Sequence, residues 1–191
     1  MSGLVKFLIA VAVGLAAGYF SATYMASGHA FSGAVRLGAW ISWPQSGRED
    51  ASPYSRLHFL MRGQLPPSHF NRLEFEAAED DTGNPLKAGC TYRIVSTTLP
   101  ARWWALTLYP EEDIRRGRFS HVREISSRTA ILARDGSATF DISHQPRPGN
   151  WLQAPPKGHF ILVFRLFGST PLAREKLLSR PPARIIRETC R

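Results

Sequence analysis

Between Lys6 and Arg36 the chain carries no formal charge, and residues 7–25 are almost all apolar. No other feature limits the fold as strongly. A helix of about 20 apolar residues matches the roughly 30 Å thickness of a bilayer's hydrocarbon core, so residues 4–25 are long enough to span it. Lys6 can snorkel to the surface at one end, while Phe20 and Tyr24 stand where interfacial aromatics gather at the other. Ala10, Gly14, Gly18 and Ala22 recur every fourth residue, putting small side chains on one helix face suited to close packing in a membrane. A cleaved signal peptide shares part of this pattern: Lys6, an apolar run, then small residues at Ala26, Gly28 and Ala30. The thin positive end and the length of the run favour a retained anchor, assigned to residues 1–30. Lys6 lies before the span, so the positive-inside rule places that end in the cytoplasm and the rest on the periplasmic side of an inner membrane.

Of 24 Lys and Arg and 15 Asp and Glu, all but Lys6 lie beyond residue 35, and the net charge is +9. The aromatics beyond the anchor alternate along strand-like segments and read as core, so nucleic acid is not the expected partner. Anionic lipid headgroups are, met by Arg115, Arg116, Arg118, Arg180, Arg184, Arg187 and Arg191. Two cysteines exclude a disulfide-dense scaffold, a four-thiolate zinc site and an iron–sulfur cluster. Residues 31–52 read as a juxtamembrane linker. Within it Trp40 and Trp43 share a face on a helical turn, either at the membrane surface or packed on the domain.

The third region, residues 53–191, is expected to be one domain. Asp50, Ser52 and Pro53 mark a helix start and Gly63 its stop, with Tyr54, Leu57, Leu60 and Met61 at helical spacing between them. Strands are then predicted over residues 73–78, 91–97, 103–109, 129–133, 139–143 and 160–167. Residues 80–85 form a turn cluster, and Asp135-Gly136 suits a hairpin turn between the fourth and fifth strands. A short helix over 172–178 and an extended segment after Pro181-Pro182 complete the pattern. The fold class is therefore mainly β: an antiparallel β-sandwich, jelly-roll-like, with a few short helices. A domain of about 140 residues can bury a core without staples.

Chemical signatures are sparse. His29, His58, His69, His121, His144 and His159 are scattered, with no metal-binding spacing, and neither a metal nor a cofactor is expected. No hydrolase elbow or phosphate loop occurs. Glu111-Glu112-Asp113 follows Pro110 and reads as a solvated acidic turn. Arg165 stands out because its strand neighbours are all apolar. A buried guanidinium must be paired, either structurally, with a carboxylate such as Asp80 or Asp81 or with carbonyls, or as a clamp for an anionic ligand near Trp104, Tyr109 and Trp151. Cys90 and Cys190 form a disulfide in an oxidising compartment, or two free thiols in a reducing one.

A series of blocks resembles the domain-of-unknown-function 1214 family. They are Asp80-Asp81-x-Gly83-x-x-Leu86-x-x-Gly89-Cys90-x-Tyr92, Ala101-Arg-Trp103-Trp104-Ala-Leu-Thr107-Leu-Tyr109, Asp135-Gly136, Gly149-Asn150-Trp151-Leu152-x-Ala154-Pro155 and Phe160-x-Leu162-x-x-Arg165-Leu166-Phe167. The resemblance runs from about Leu57 to Ile186. It implies a β-rich sandwich tethered to the inner membrane by one helix, with a separately encoded protein of the domain-of-unknown-function 1254 family as partner. It carries no established catalytic set. The expected function is a non-catalytic interaction or ligand-binding module of the cell envelope. The alternative is an enzyme with a dispersed site acting on an envelope-associated or anionic small substrate.

Overall fold

The structure, a computed structural model, describes residues 3–27, 33–61, 72–115 and 123–190. Gly28, Ala30, His29, Gly63, His69, Arg116, Arg118, His121 and Arg191 lie outside the described residues, as do the side chains of Ala26, His58 and Arg115.

The uncharged run forms one helix, α1 (Gly3–Ser27). Residues 3–24 are exposed along their whole length, and Gly3–Tyr24 has the length and hydropathy of a membrane span or a signal sequence. The next two elements are short strands, β1 (Val35–Leu37) and β2 (Trp40–Ser42), followed by helix α2 (Pro53–Met61) and strand β3 (Arg72–Ala77). Then come β4 (Cys90–Ser96), β5 (Trp103–Pro110), the single-turn helix α3 (Glu111–Arg115), β6 (Arg123–Ser126), β7 (Ala138–Ser143) and β8 (Asn150–Gln153). The last elements are β9 (Phe160–Phe167), helix α4 (Pro171–Leu177) and β10 (Ala183–Cys190).

The strands form two sheets, ordered β1-β2-β3-β9-β5-β6 and β10-β4-β7-β8. Their inner faces share one core: Phe75, Leu106, Leu108, Phe164 and Leu166 from the larger sheet meet Tyr92, Ile94, Phe140, Ile142 and Ile185 from the smaller. The period-2 alternation of β4 and β7 is what permits this, since a strand's neighbouring residues face opposite ways. The fold is thus mainly β, in two packed sheets. One pair departs from the antiparallel rule: β7 and β8 run parallel, joined through residues 144–149.

One expectation changes, and one open alternative is decided. Residues 31–52 are not simply a linker, because β1 and β2 extend the larger sheet through β2–β3 pairing. Trp40 and Trp43 are buried in the domain rather than held at a membrane surface. Trp40 Nε1 donates to Ala183 O at 2.6 Å, tying β2 to the opposite sheet, and its ring lies 5.4 Å from Phe164. A buried indole needs such an acceptor.

The predicted strand over 129–133 is absent, and the signal for β8 was missed. Asn150 explains both. Its Oδ1 accepts from Ile131 N at 2.7 Å, while Nδ2 donates to Ile131 O at 2.8 Å and Thr139 O at 3.0 Å. One side-chain amide therefore satisfies the backbone that a neighbouring strand would otherwise pair.

Candidate functional site

Of the residues expected to hold an anion, only Arg165 and Tyr109 meet. Both project from the outer face of the larger sheet, where Arg165 is in register with Ala105 of β5 and Glu74 of β3. Arg165 Nε donates to Glu74 Oε2 at 3.0 Å, and Nη1 donates to Tyr109 OH at 2.7 Å and Thr107 Oγ1 at 3.4 Å. Arg72 Nη2 reaches the same Glu74 oxygen at 3.3 Å, and Thr107 Oγ1 donates to Glu124 Oε2 at 3.1 Å. Burial works against the charge on Arg165, but Glu74 and Tyr109 outweigh it and raise its pKa. This guanidinium, 20% exposed, is already paired within the fold.

Trp104 faces the other way, between the sheets, edge-on to Phe140 at 5.9 Å and Phe164 at 6.0 Å. Trp151 lies in register with Asp141 on the outer face of the smaller sheet, its Nε1 donating to Ser143 O at 3.2 Å and Oγ at 3.0 Å. The proposed constellation of Arg165, Trp104, Tyr109 and Trp151 is therefore split over three surfaces. Strand parity forces the first split, because Trp104 and Tyr109 are an odd number of residues apart on β5.

Asp80 and Asp81 are not the partners of Arg165 either. Asp80 is buried and organises its own turn: Oδ1 accepts from Thr82 N at 2.9 Å, Thr82 Oγ1 at 2.6 Å and Asn84 N at 3.0 Å. Arg187 Nε stands 2.8 Å from Asp80 Oδ2, close enough for an ion pair but off the line of a hydrogen bond. Burial pushes the Asp80 pKa up, yet the Thr82 and Asn84 donors and Arg187 together hold it below its ordinary value. Gly83, at φ 80°, supplies the left-handed step of the turn. Asp81 accepts from Ile185 N at 3.0 Å and pairs with Arg184 at 3.3 Å. Cys90 and Cys190 are joined by a disulfide that closes the β4–β10 ladder where the two are in register.

A different part of the molecule forms a cleft. Pro110 ends β5, and Glu111, Glu112 and Asp113 begin α3; across from them run Pro155, Pro156, Lys157, Gly158 and His159 of the β8–β9 connection, with Arg123 from the start of β6. The space is about 410 Å³, within the ordinary range for a small-molecule site. Its walls are held by backbone bonds: Ala154 N to Ser143 O at 3.0 Å, Ala88 N to Gly158 O at 2.9 Å, and Glu111 N to His159 O at 3.0 Å. His159 Nδ1 lies 4.0 Å from Glu111 Oε2, an ion-pair distance beyond hydrogen-bond reach. Arg123 Nη2 donates to Gln153 Oε1 at 3.4 Å, whereas its Nη1 is buried with no hydrogen-bond partner among the described residues.

This site was not legible as such. The acidic run reads as a solvated turn, and Glu112 is indeed exposed, but the run also forms one wall of the cleft. Ala154-Pro155 was noted only as part of a sequence block. The available signal was the reciprocal placement of prolines and charges just outside two strong strands, where loops of a rigid scaffold carry binding residues. Among the described residues no group of three or more His, Cys, Asp or Glu could hold a metal ion.

The family described as "Protein of unknown function (DUF1214)" matches residues 71–171, more than half of the chain. This chain belongs to that family. The matched span runs from β3 to the start of α4, so it includes the cleft, the Asp80 turn and the Arg165 network. The crystal structure of the VPA0106 protein from Vibrio parahaemolyticus is similar in fold, at 17% identity and a TM-score of 0.54, over 73% of this chain and 36% of that one. An uncharacterised protein from Burkholderia cenocepacia aligns at 18% identity and a TM-score of 0.41, over 61% of this chain and 29% of that one. The chain spans about a third of the length of these solved proteins. No curated protein matches it.

Proposed function

We propose that this family member is a membrane-tethered, non-catalytic ligand-binding module of the cell envelope, with α1 in the inner membrane and the sandwich on the periplasmic side. The observation that carries the binding reading is the proline-walled cleft. Three prolines give a rigid apolar lining at little entropic cost, and side chains of both signs stand around it. Arg123 at the cleft supports an anionic ligand: its Nη1 has no hydrogen-bond partner among the described residues, and a guanidinium pairs well with an anionic group. The tether reading is supported by the exposed apolar helix and by Lys6 in its first turns. A protein of the domain-of-unknown-function 1254 family is the proposed partner, and exposed arginines such as Arg184 would meet anionic headgroups.

The test is native mass spectrometry of the full chain extracted in detergent from the cell membrane. A small anionic molecule retained by the wild type and lost from Arg123→Gln, with melting unchanged, is the expected result. A wild-type chain that carries no small molecule and gains no thermal stability from carboxylates or phosphate esters would overturn it. A second reading, an enzyme acting on a small anionic substrate, is favoured by the His159–Glu111 pair at the cleft. It requires that the retained molecule be converted, and that His159→Gln stop conversion while binding persists.

A further inference from the structure

We infer that α2 is a second, peripheral membrane contact: its outward face lies in the lipid headgroup boundary beside α1 and fixes how the sandwich sits on the bilayer. The inference rests on the reading of α1 as a membrane span. Helix α2 is apolar on two sides. Ser55 and Phe59, four residues apart, are buried, and the Phe59 ring packs edge-on to Trp43 at 5.8 Å, which fastens the helix to the domain. On the other side Pro53, Leu57 and Leu60, spaced by four and three, form an exposed stripe. Leu57 is 37% exposed and Leu60 70%. Burial in the domain explains the first side only.

Helix α2 also lies against α1, so the exposed stripe belongs to a helix held beside the apolar span. A short helix held next to the end of a span is confined to the membrane surface by geometry, and an apolar stripe there replaces water contact with acyl-chain contact. The flanking charge fits the same surface. Arg56, four residues before Leu60 and exposed, uses one guanidinium nitrogen on Glu49 O at 2.6 Å and keeps further donors for a lipid phosphate. Trp40 and Trp43 are used by the core and are not free to make such a contact.

The experiment places a nitroxide at Leu60→Cys in the full chain. Cys90 and Cys190 are bonded to each other, so the introduced thiol is the one that labels. Labels at Leu15→Cys, inside α1, and Ile131→Cys, 66% exposed in the β6–β7 connection beside Asn150 of β8, serve as references. In vesicles of phosphatidylethanolamine and phosphatidylglycerol, relaxation by oxygen is compared with relaxation by a water-soluble nickel chelate. The Leu60 label should favour oxygen several-fold over the Ile131 label. If Leu15 is in lipid while Leu60 is as open to nickel as Ile131, the tether stands and the α2 contact is refuted. If Leu15 is itself open to nickel, the tether reading fails and the inference with it. Leu60→Glu, which leaves the buried face intact, should leave melting unchanged in detergent and abolish the protection from nickel of a label at Leu57→Cys in vesicles. Unchanged protection in that variant also overturns the inference.

Discussion

The outer faces of the two sheets use the same chemistry, arginine against carboxylate, in opposite settings. On the larger sheet Arg165, Arg72 and Glu74 are withdrawn from water, and Ile114 of α3 packs over neighbouring Tyr109, Ile161 and Val163. On the smaller sheet Arg93 reaches Asp141 at 3.2 Å and Glu188 at 2.9 Å, while Arg147 reaches Glu188 at 2.7 Å. That ladder is the more open of the two, with the Arg93 side chain 45% exposed and Glu188 23% against 20% for Arg165 and 8% for Glu74. The covered cluster has more at stake because removing one partner strands a charge that water cannot reach, whereas the exposed ladder merely returns its charges to water. The smaller sheet is held instead by its core face and by a covalent bond at its edge.

The comparison is broken most directly at Arg165. Arg165→Met leaves Glu74 buried without its closest donor, and a loss of about 3–5 kcal/mol is expected in urea unfolding. Glu74→Leu combined with Arg165→Met should recover much of that loss, since an apolar pair needs no compensation there. A double variant whose loss equals the sum of the two single losses would mean that the cluster is not coupled.

Removing the bond that closes the smaller sheet comes next. Cys90→Ser with Cys190→Ser should cost about 2–4 kcal/mol, and denaturation with and without reductant should reproduce the difference in the wild type. Asn150→Ala strips the backbone of Ile131 of both partners, for about 1–3 kcal/mol, with amide exchange at Ile131 as the local readout.

Acid sharpens the contrast further. The pKa of Asp80 is depressed in the fold, so its contribution to stability is present above the unfolded carboxylate's pKa and is lost as pH falls through the folded one. Asp80→Asn should lower the urea midpoint at neutral pH and flatten its decline toward low pH. A decline of unchanged steepness would assign acid sensitivity to other carboxylates. The smallest effect belongs to the exposed ladder: Arg93→Ala should cost under about 1 kcal/mol, and less in high salt.

The sequence was informative wherever a local period carried the signal. The uncharged run became α1; the alternation of residues 91–97 and the apolar block of 160–167 became β4 and β9, each displaced by no more than a residue. It failed where a long-range partner overrode the local pattern. The strand predicted over residues 129–133 gave way to the Asn150 amide, and the tether-like segment around Trp40 became strands because Ala183 and Phe164 offered an acceptor and a ring to pack on. The candidate site suffered most. Arg165, singled out as a charge in need of a partner, is partly buried and paired with Glu74, 91 positions away, which no spacing rule connects to it.

By itself, then, the sequence determined a long apolar helix and a set of strands with one apolar face, because both depend on periodicities of 3.6 and 2 that each segment carries alone. Tertiary structure alone decided which faces are covered, which charges meet and where the cleft opens. Those outcomes depend on strand order, and strand order brings together Pro110 and His159, or Glu74 and Arg165, through the hydrogen bonds of neighbouring strands rather than through any property of the segments themselves.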